Sequence, residues 1–149
     1  MIPKPLTCVL LLAVAATAAA APPPACLVLE QGWVRAPVPG RTMTAGYGQL
    51  HNRCSQPAVL ARLHSPQAAQ VELHRTDVVD GVSRMRAVPA PVLPAGGRLL
   101  LAPGGLHLML HGTDPALAEG SVLRLQLGDA AGGSSEVLLP VRRQPPAGG

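Results

Sequence analysis

The sequence predicts an all-β fold, specifically an antiparallel β-sandwich. Short runs of alternating or apolar residues recur about every ten residues, and no segment keeps a helical period for that length. About seven to nine short strands in one modest chain are typical of a sandwich. The predicted strands cover residues 27–30 running on to 33–35, 44–51, 58–64, 71–75, 82–87, 98–102, 106–111, 122–127 and 135–141.

Each predicted strand ends at a cluster of residues that favours turns. In chain order the connecting segments are APVPG, NRCSQP, SPQAAQ, VVDG, PAPVLPAGG, PGG, GTDPALAEG and GDAAGG. Gly allows positive φ, Pro presets φ, and Asn and Asp bond to their own backbone, so each cluster has a steric reason to turn. Phe is absent and there is one Trp and one Tyr, so the core must come mainly from Leu, Val and Ala.

The N-terminus predicts a secretory signal peptide over residues 1–21. A basic start at Lys4 precedes a short apolar run that ends in alanines and then a proline cluster. The alternative is a membrane anchor, but the run is about 16 residues, short of the roughly 20 that span a bilayer. The globular domain is then expected over 26–143, with a disordered tail over 144–149.

The cysteines predict one disulfide. Cys8 lies inside the predicted signal peptide, which leaves Cys26 and Cys54 as an even pair in an exported protein. Their bond closes a loop of about 28 residues, worth roughly 3–4 kcal/mol on the chain-entropy model. The alternatives are two free thiols, or a lipid-modified Cys26 without the usual preceding Leu.

The charge of the chain excludes a nucleic-acid-binding role. The formal net charge of +4 falls to +3 with the loss of Lys4, and the only basic cluster is Arg142–Arg143. Single-stranded nucleic acid needs a basic groove lined with stacking aromatic residues, which this composition cannot supply.

Two predicted strand segments place candidate metal ligands on common faces. In LHLMLH, residues 106–111, the leucines alternate with His107, Met109 and His111, which therefore share the face away from the core. Asp80–Gly81 predicts a two-residue hairpin turn. With residues 79 and 82 paired, His74 and Met85 become diagonal cross-strand neighbours, roughly 7–8 Å apart at their backbones.

The donor types of His74, Met85, His107 and Met109 predict a Cu(I) site. Thioether sulfur is a soft donor that favours Cu(I), and imidazole also binds copper. No oxygen donor or acid/base residue is expected beside these ligands, which disfavours Mg²⁺, Ca²⁺ and an enzyme, and zinc prefers thiolates or carboxylates beside its histidines. Taken alone, a Met such as Met85 is more often core filler than a ligand.

The spacing of the four residues is the motif H-x10-M-x21-H-x-M. With WVRAPVPG, AGYGQLHN, LHSPQAAQVELH, DGVSRMRAVP and LPAGGRLLLAPGGLHLML around it, the chain resembles the periplasmic copper chaperone family PCu(A)C over residues 31–142. Two positions depart from that family's pattern: His111 and Ser83 stand where members often have Met. His111 is therefore an auxiliary ligand candidate, whereas Met43 is either a flexible outer ligand or filler.

The resemblance implies a cupredoxin-like Greek-key sandwich and a Cu(I) site built from the four matching residues. It also implies a periplasmic, monomeric metallochaperone that is not an enzyme. Such a protein delivers copper to the dinuclear copper centre of cytochrome c oxidase, often together with a thioredoxin-like copper protein. A copper storage or resistance protein without a dedicated acceptor is the alternative.

Overall fold

The computed structural model describes residues 20–147, and that part of the chain contains ten β-strands and no helix. The all-β prediction is therefore confirmed. The strands are β1 (Leu27–Arg35), β2 (Met43–Asn52), β3 (Ala58–His64), β4 (Ala68–Val79), β5 (Val82–Ala87), β6 (Val92–Leu93), β7 (Arg98–Leu101), β8 (Leu106–Thr113), β9 (Val122–Asp129) and β10 (Ser134–Arg142).

The strand order places β8 in the middle of one layer of the sandwich. Hydrogen bonds connect the strands in the order β5-β4-β8-β2-β1-β10-β9-β3-β6, and β7 also pairs with β2. The β1–β10 pair is parallel, whereas the other strand pairs among the described residues are antiparallel. Strand β8 thus has β4 on one side and β2 on the other.

Leucine dominates the core, as the lack of Phe predicts. Leu108 and Leu110 of β8 belong to the same buried cluster as Leu123 and Leu125 of β9, so both layers contribute to one core. The largest rings also pack together: Trp33 and Tyr47 are buried, and their ring centroids are 4.9 Å apart. Because Leu108 and Leu110 face the core, the side chains that alternate with them on β8 lie on the opposite face and are not needed for the core. The members of the buried cluster are Leu27, Leu29, Val34, Leu50, Ala58, Leu60, Val71, Leu73, Leu93, Leu101, Leu108, Leu110, Leu117, Leu123, Leu125, Leu127, Leu139 and Val141.

A disulfide joins Cys26 to Cys54, which confirms the predicted pair. The two residues flank Leu27 and Asn52, which are paired at the end of the β1–β2 ladder. The bond therefore fixes the open end of this strand pair. It also occupies Cys26 Sγ, the atom that a lipid thioether at this residue would require.

The predictions for the chain termini concern residues that are largely outside the described part. The signal peptide predicted over 1–21 lies outside it except for its last two residues, and the tail predicted over 144–149 ends outside it. Within residues 20–147, no helix has the length and hydropathy that a membrane crossing requires.

Candidate metal centre

The β4–β5 hairpin has the register that the sequence predicts. Asp80 and Gly81 have φ values of 51° and 75°, the left-handed conformation that a tight hairpin turn of this type needs at both positions. Thr76 therefore pairs with Met85, and His74 pairs with Ala87 two residues further from the turn. His74 and Met85 are diagonal neighbours on adjacent strands, as expected.

Strand β8 presents its polar and sulfur-containing residues on one face. Leu108 and Leu110 are buried in the core, at 2% and 1% exposure. His107, Met109 and His111 alternate with them and lie on the other face of the strand. This face is not open throughout, because His107 is only 4% exposed.

Pairing between β4 and β8 brings the two histidines of the motif together. His74 lies directly opposite His107, and their ring centroids are 6.1 Å apart. Glu72 lies opposite Met109 in the same ladder. Residues that face each other across an antiparallel pair share one side of the sheet, so these side chains form one patch.

The methionines line an open depression beside this patch. Met85 and Met109 contribute to its wall together with His107, and Met43 of β2 joins them; the depression has a volume of about 460 Å³. Met43 is paired with His111 across β2 and β8. The structure therefore brings three predicted ligands to one depression, with His74 adjacent to His107 but outside the lining.

His107 has a defined free nitrogen. Its Nδ1 lies 3.0 Å from the carbonyl oxygen of Gly105, in the turn before β8. A carbonyl only accepts, so Nδ1 carries the proton and donates it, and Nε2 keeps the lone pair. Metal-binding histidines are usually oriented by such a bond from the second ring nitrogen.

His74 has an unpartnered nitrogen in a buried position. Its Nε2 lies 3.0 Å from Oε2 of Glu72, and because a carboxylate accepts, Nε2 is the donor. Its Nδ1 is buried and has no hydrogen-bond partner among the described residues. Buried polar atoms are rarely left unpaired, so this nitrogen is available as a metal ligand.

Glu72 is the residue that the sequence argument overlooked. The expectation that no oxygen donor or acid/base residue lies beside the ligands is wrong, because Glu72 bonds to His74. That bond, together with one from Gln70, lowers the pKa of Glu72 below its ordinary value despite partial desolvation. The alternation in VELH already places Glu72 on the face of His74, so the sequence alone was sufficient to predict Glu72 beside this ligand.

The arrangement offers two kinds of donor on one face of the sheet. Met85, Met109 and His107 line the depression, and thioether sulfur together with imidazole suits a soft ion. Glu72, His74 and His111 lie beside them, with potential ligand atoms all within 4.8 Å of one another. Met43, at 44% exposure, adds a third methionine to the depression; local periodicity cannot reveal it, because only the β2–β8 pairing brings it near.

Comparison with known sequences identifies a family. The family model described as "Putative lipoprotein LpqE-like" matches residues 27–141. The curated protein "Putative lipoprotein Lxx21020" of Leifsonia xyli subsp. xyli (strain CTCB07) is 34% identical over 115 residues, which cover 76% of this chain and 68% of that protein.

Comparison with solved structures confirms the cupredoxin-like fold. The copper-bound PCuAC domain from PmoF2 superimposes with a TM-score of 0.66 at 23% identity, covering 82% of this chain and 97% of that domain. The solution structure of CuI-DR1885 from Deinococcus radiodurans gives a TM-score of 0.63 at 30% identity, covering 82% and 80%. With the family match over residues 27–141, these similarities show that the chain belongs to the LpqE-like family of PCu(A)C proteins.

Proposed function

We propose that this protein is an exported copper metallochaperone that carries one Cu(I) on His74, Met85, His107 and Met109. One observation carries the proposal: the buried, unpartnered Nδ1 of His74 belongs to the residue directly opposite His107. His107 has its own lone pair on Nε2, and the two methionines lie on the wall of the adjoining depression. Two imidazoles and two thioethers thus lie within a small region.

The donor chemistry supports Cu(I) as the cargo. Thioether sulfur is soft and neutral, and it selects Cu(I) among the common biological metals. Glu72 accepts a hydrogen bond from Nε2–H of His74, which leaves the lone pair on Nδ1 as the ligand and raises its basicity. Two of the related structures are described as copper-bound and as the CuI form, respectively, which supports copper for this chain.

The exposure of the site supports transfer of the ion to another protein. Met85 lies on the hairpin strand β5 and is 56% exposed, so an incoming ligand from an acceptor can reach the metal on that side. The acceptor we propose is the dinuclear copper centre of cytochrome c oxidase, with a thioredoxin-like copper protein in the same pathway. No catalytic step is assigned to the chain.

The proposed location is the periplasm, after removal of the signal peptide over residues 1–21. The family description and the Leifsonia relative are both named lipoproteins, which supports export. In this chain Cys26 forms a disulfide with Cys54, so we propose that the mature protein is released as a monomer without a lipid on Cys26.

A deletion experiment at limiting copper tests the chaperone role. A strain without this protein should lose the absorption of the oxidase copper centre, and the wild-type gene should restore it. The His107→Ala gene should fail to restore it, whereas His64→Ala, which changes an exposed histidine on β3, should succeed. Normal oxidase assembly with lower copper tolerance would instead establish the storage role.

A further inference from the structure

We propose that Glu72, His74 and His111 form a second copper site, selective for Cu(II), that shares His74 with the Cu(I) site. The inference goes beyond the proposed function, because it concerns a different oxidation state and two residues outside the four-residue motif. It begins from one geometric fact: the potential ligand atoms of these three residues all lie within 4.8 Å of one another.

One oxygen of Glu72 is shared by the two imidazoles. Oε2 lies 3.0 Å from Nε2 of His74 and 3.9 Å from Nε2 of His111. The other oxygen, Oε1, accepts a hydrogen bond of 2.8 Å from the side chain of Gln70. Gln70 therefore holds the carboxylate with Oε2 toward both rings.

These distances are close to those between the ligands of a single ion. Metal bonds to histidine nitrogen and carboxylate oxygen are about 2.0–2.2 Å, so two donor atoms on one ion are roughly 2.8–3.1 Å apart at a bond angle of 90° and roughly 4.0–4.4 Å apart at 180°. The separations of 3.0 and 3.9 Å lie between these limits. Glu72 and His111 both have side chains that are 37% exposed, which leaves room for water as a further ligand.

The donor set favours Cu(II) over the alternatives. Two imidazoles and a carboxylate are nitrogen and oxygen donors, which suit Cu(II) and not Cu(I). Zn²⁺ accepts the same donors, but Cu²⁺ binds such sites more tightly among divalent first-row metals. The carboxylate also neutralises part of the additional positive charge of the divalent ion. The methionines contribute nothing to this set.

The two sites exclude each other, because neutral imidazole has one lone pair. When Nε2 of His74 carries the proton and donates a hydrogen bond to Glu72, the lone pair is on Nδ1 and serves the site with His107. When the proton is on Nδ1, the lone pair is on Nε2 and joins Glu72 and His111. The tautomer of His74 thus determines which site is complete, and each chain holds one copper ion.

Two variants test the second site without removing a ligand of the first. Glu72→Gln keeps an oxygen that accepts the His74 proton but removes the anionic ligand, and His111→Met removes one nitrogen. In competition with a Cu(II) chelator, both should bind Cu(II) at least about tenfold more weakly than the wild type. The electron paramagnetic resonance spectrum of His111→Met should lose one coupled nitrogen, and Zn²⁺ should bind the wild type more weakly than Cu²⁺. Cu(I) binding should be little changed in His111→Met. In Glu72→Gln it should fall by a smaller factor than Cu(II) binding, because the amide oxygen still accepts a hydrogen bond from Nε2 of His74.

The matched control is His64→Met, which makes the same substitution on the exposed part of β3 and should leave both affinities unaltered. The proposal is overturned by unchanged Cu(II) affinity and spectra in both variants. It is also overturned if the Cu(I) and Cu(II) affinities fall by the same factor in both variants. Glu72 and His111 would then support copper binding in general and would not form a separate Cu(II) site. A wild-type protein that takes up Cu(II) in this way but no Cu(I) would contradict only the chaperone proposal.

Discussion

At the scale of single residues, a backbone carbonyl determines how His107 can act. The Nδ1 proton is donated to Gly105 in the turn that precedes β8, which leaves Nε2 as the nitrogen with a lone pair. The ring is 4% exposed and is enclosed by its neighbours. Its orientation is therefore fixed before any metal arrives, which reduces the entropic cost of binding.

Removal of the His107 ring should weaken copper binding strongly. We expect His107→Ala to bind Cu(I) at least about tenfold more weakly, equivalent to about 1.4 kcal/mol, and to lose less Cu(II) affinity, because the proposed Cu(II) ligands Glu72, His74 and His111 remain. Competition against chelators measures this, with circular dichroism to verify the fold. The control His64→Ala should behave as the wild type, and equal affinities for the two variants would refute the role of His107.

The sequence placed some residues of the site in advance, left Met43 as either a flexible outer ligand or filler, and overlooked Glu72. Alternation along a strand and the turn at Asp80–Gly81 are local features, so His74 and Met85 could be placed as diagonal neighbours in advance. Met43 reaches the depression only through pairing between β2 and β8, and such pairing is not encoded in local periodicity. Glu72 could have been found from alternation alone.

At the scale of elements, one buried side chain connects the end of β2 to the segment after β6. The Asn52 side chain is fully buried, and its Nδ2 donates to the carbonyl oxygens of Gln56, Leu93 and Pro94 at 2.8–3.1 Å. Its Oδ1 accepts from the Cys54 amide. This residue thus satisfies several backbone groups around the end of β2 and the end of β6.

Loss of the Asn52 amide should destabilise the sandwich. We expect Asn52→Ala to reduce the free energy of unfolding by about 2–4 kcal/mol, because several buried backbone groups lose their partner. Denaturant titration with the disulfide intact measures this change. The exposed Ser55→Ala in the same loop is the control and should have little effect. Identical denaturation midpoints for the two variants would show that water or a backbone shift replaces the hydrogen bonds of the Asn52 side chain.

The strands themselves were predictable to different degrees. The nine predicted strands are all present, because each has turn residues at its ends and alternating or apolar residues within it. Strand β6 was not predicted, since two residues, Val92–Leu93, are too few to show a period. The parallel β1–β10 pair also escaped prediction, because it joins the two ends of the domain and no local signal specifies it.

At the scale of the whole molecule, an ion-pair cluster on the outer surface links β1, β2 and β7. Glu30 contacts His51 at 2.9 Å, Arg53 at 2.8 Å and Arg98 at 2.7 Å. The hydrogen bond from His51, followed by those from Arg53 and Arg98, lowers the pKa of Glu30 from 4.5 to about 2. The charged carboxylate is therefore favoured in the folded state.

This pKa shift predicts how stability depends on pH. A carboxylate with a lowered folded-state pKa stabilises the fold above its unfolded pKa, and the benefit is lost as the pH falls. We expect wild type to have a higher melting temperature than Glu30→Gln near neutral pH, with the difference disappearing between pH 4.5 and about 2. Glu136→Gln on β10 is the control. A difference that does not vary with pH would contradict the ionic origin.

The whole molecule is a leucine-filled sandwich with the proposed copper ligands on the outer face of one layer. The fold does not depend on the methionines of the site, since Met85 and Met43 are exposed and none of the methionines within residues 20–147 belongs to the buried cluster. Replacing Met109 by Leu keeps nearly the same volume and apolarity, so it should leave the fold intact. This separation between folding and metal binding allows the central claim to be tested directly.

The most direct test is X-ray absorption at the copper edge of the Cu(I)-loaded protein and of Met109→Leu, combined with Cu(I) chelator competition. We predict a mixed shell of sulfur and nitrogen for the wild type, and one sulfur fewer with weaker Cu(I) binding for the variant. A shell of nitrogen alone in the wild type, or a variant that binds Cu(I) as tightly as its parent, would contradict the assignment of His74, Met85, His107 and Met109 as the ligands.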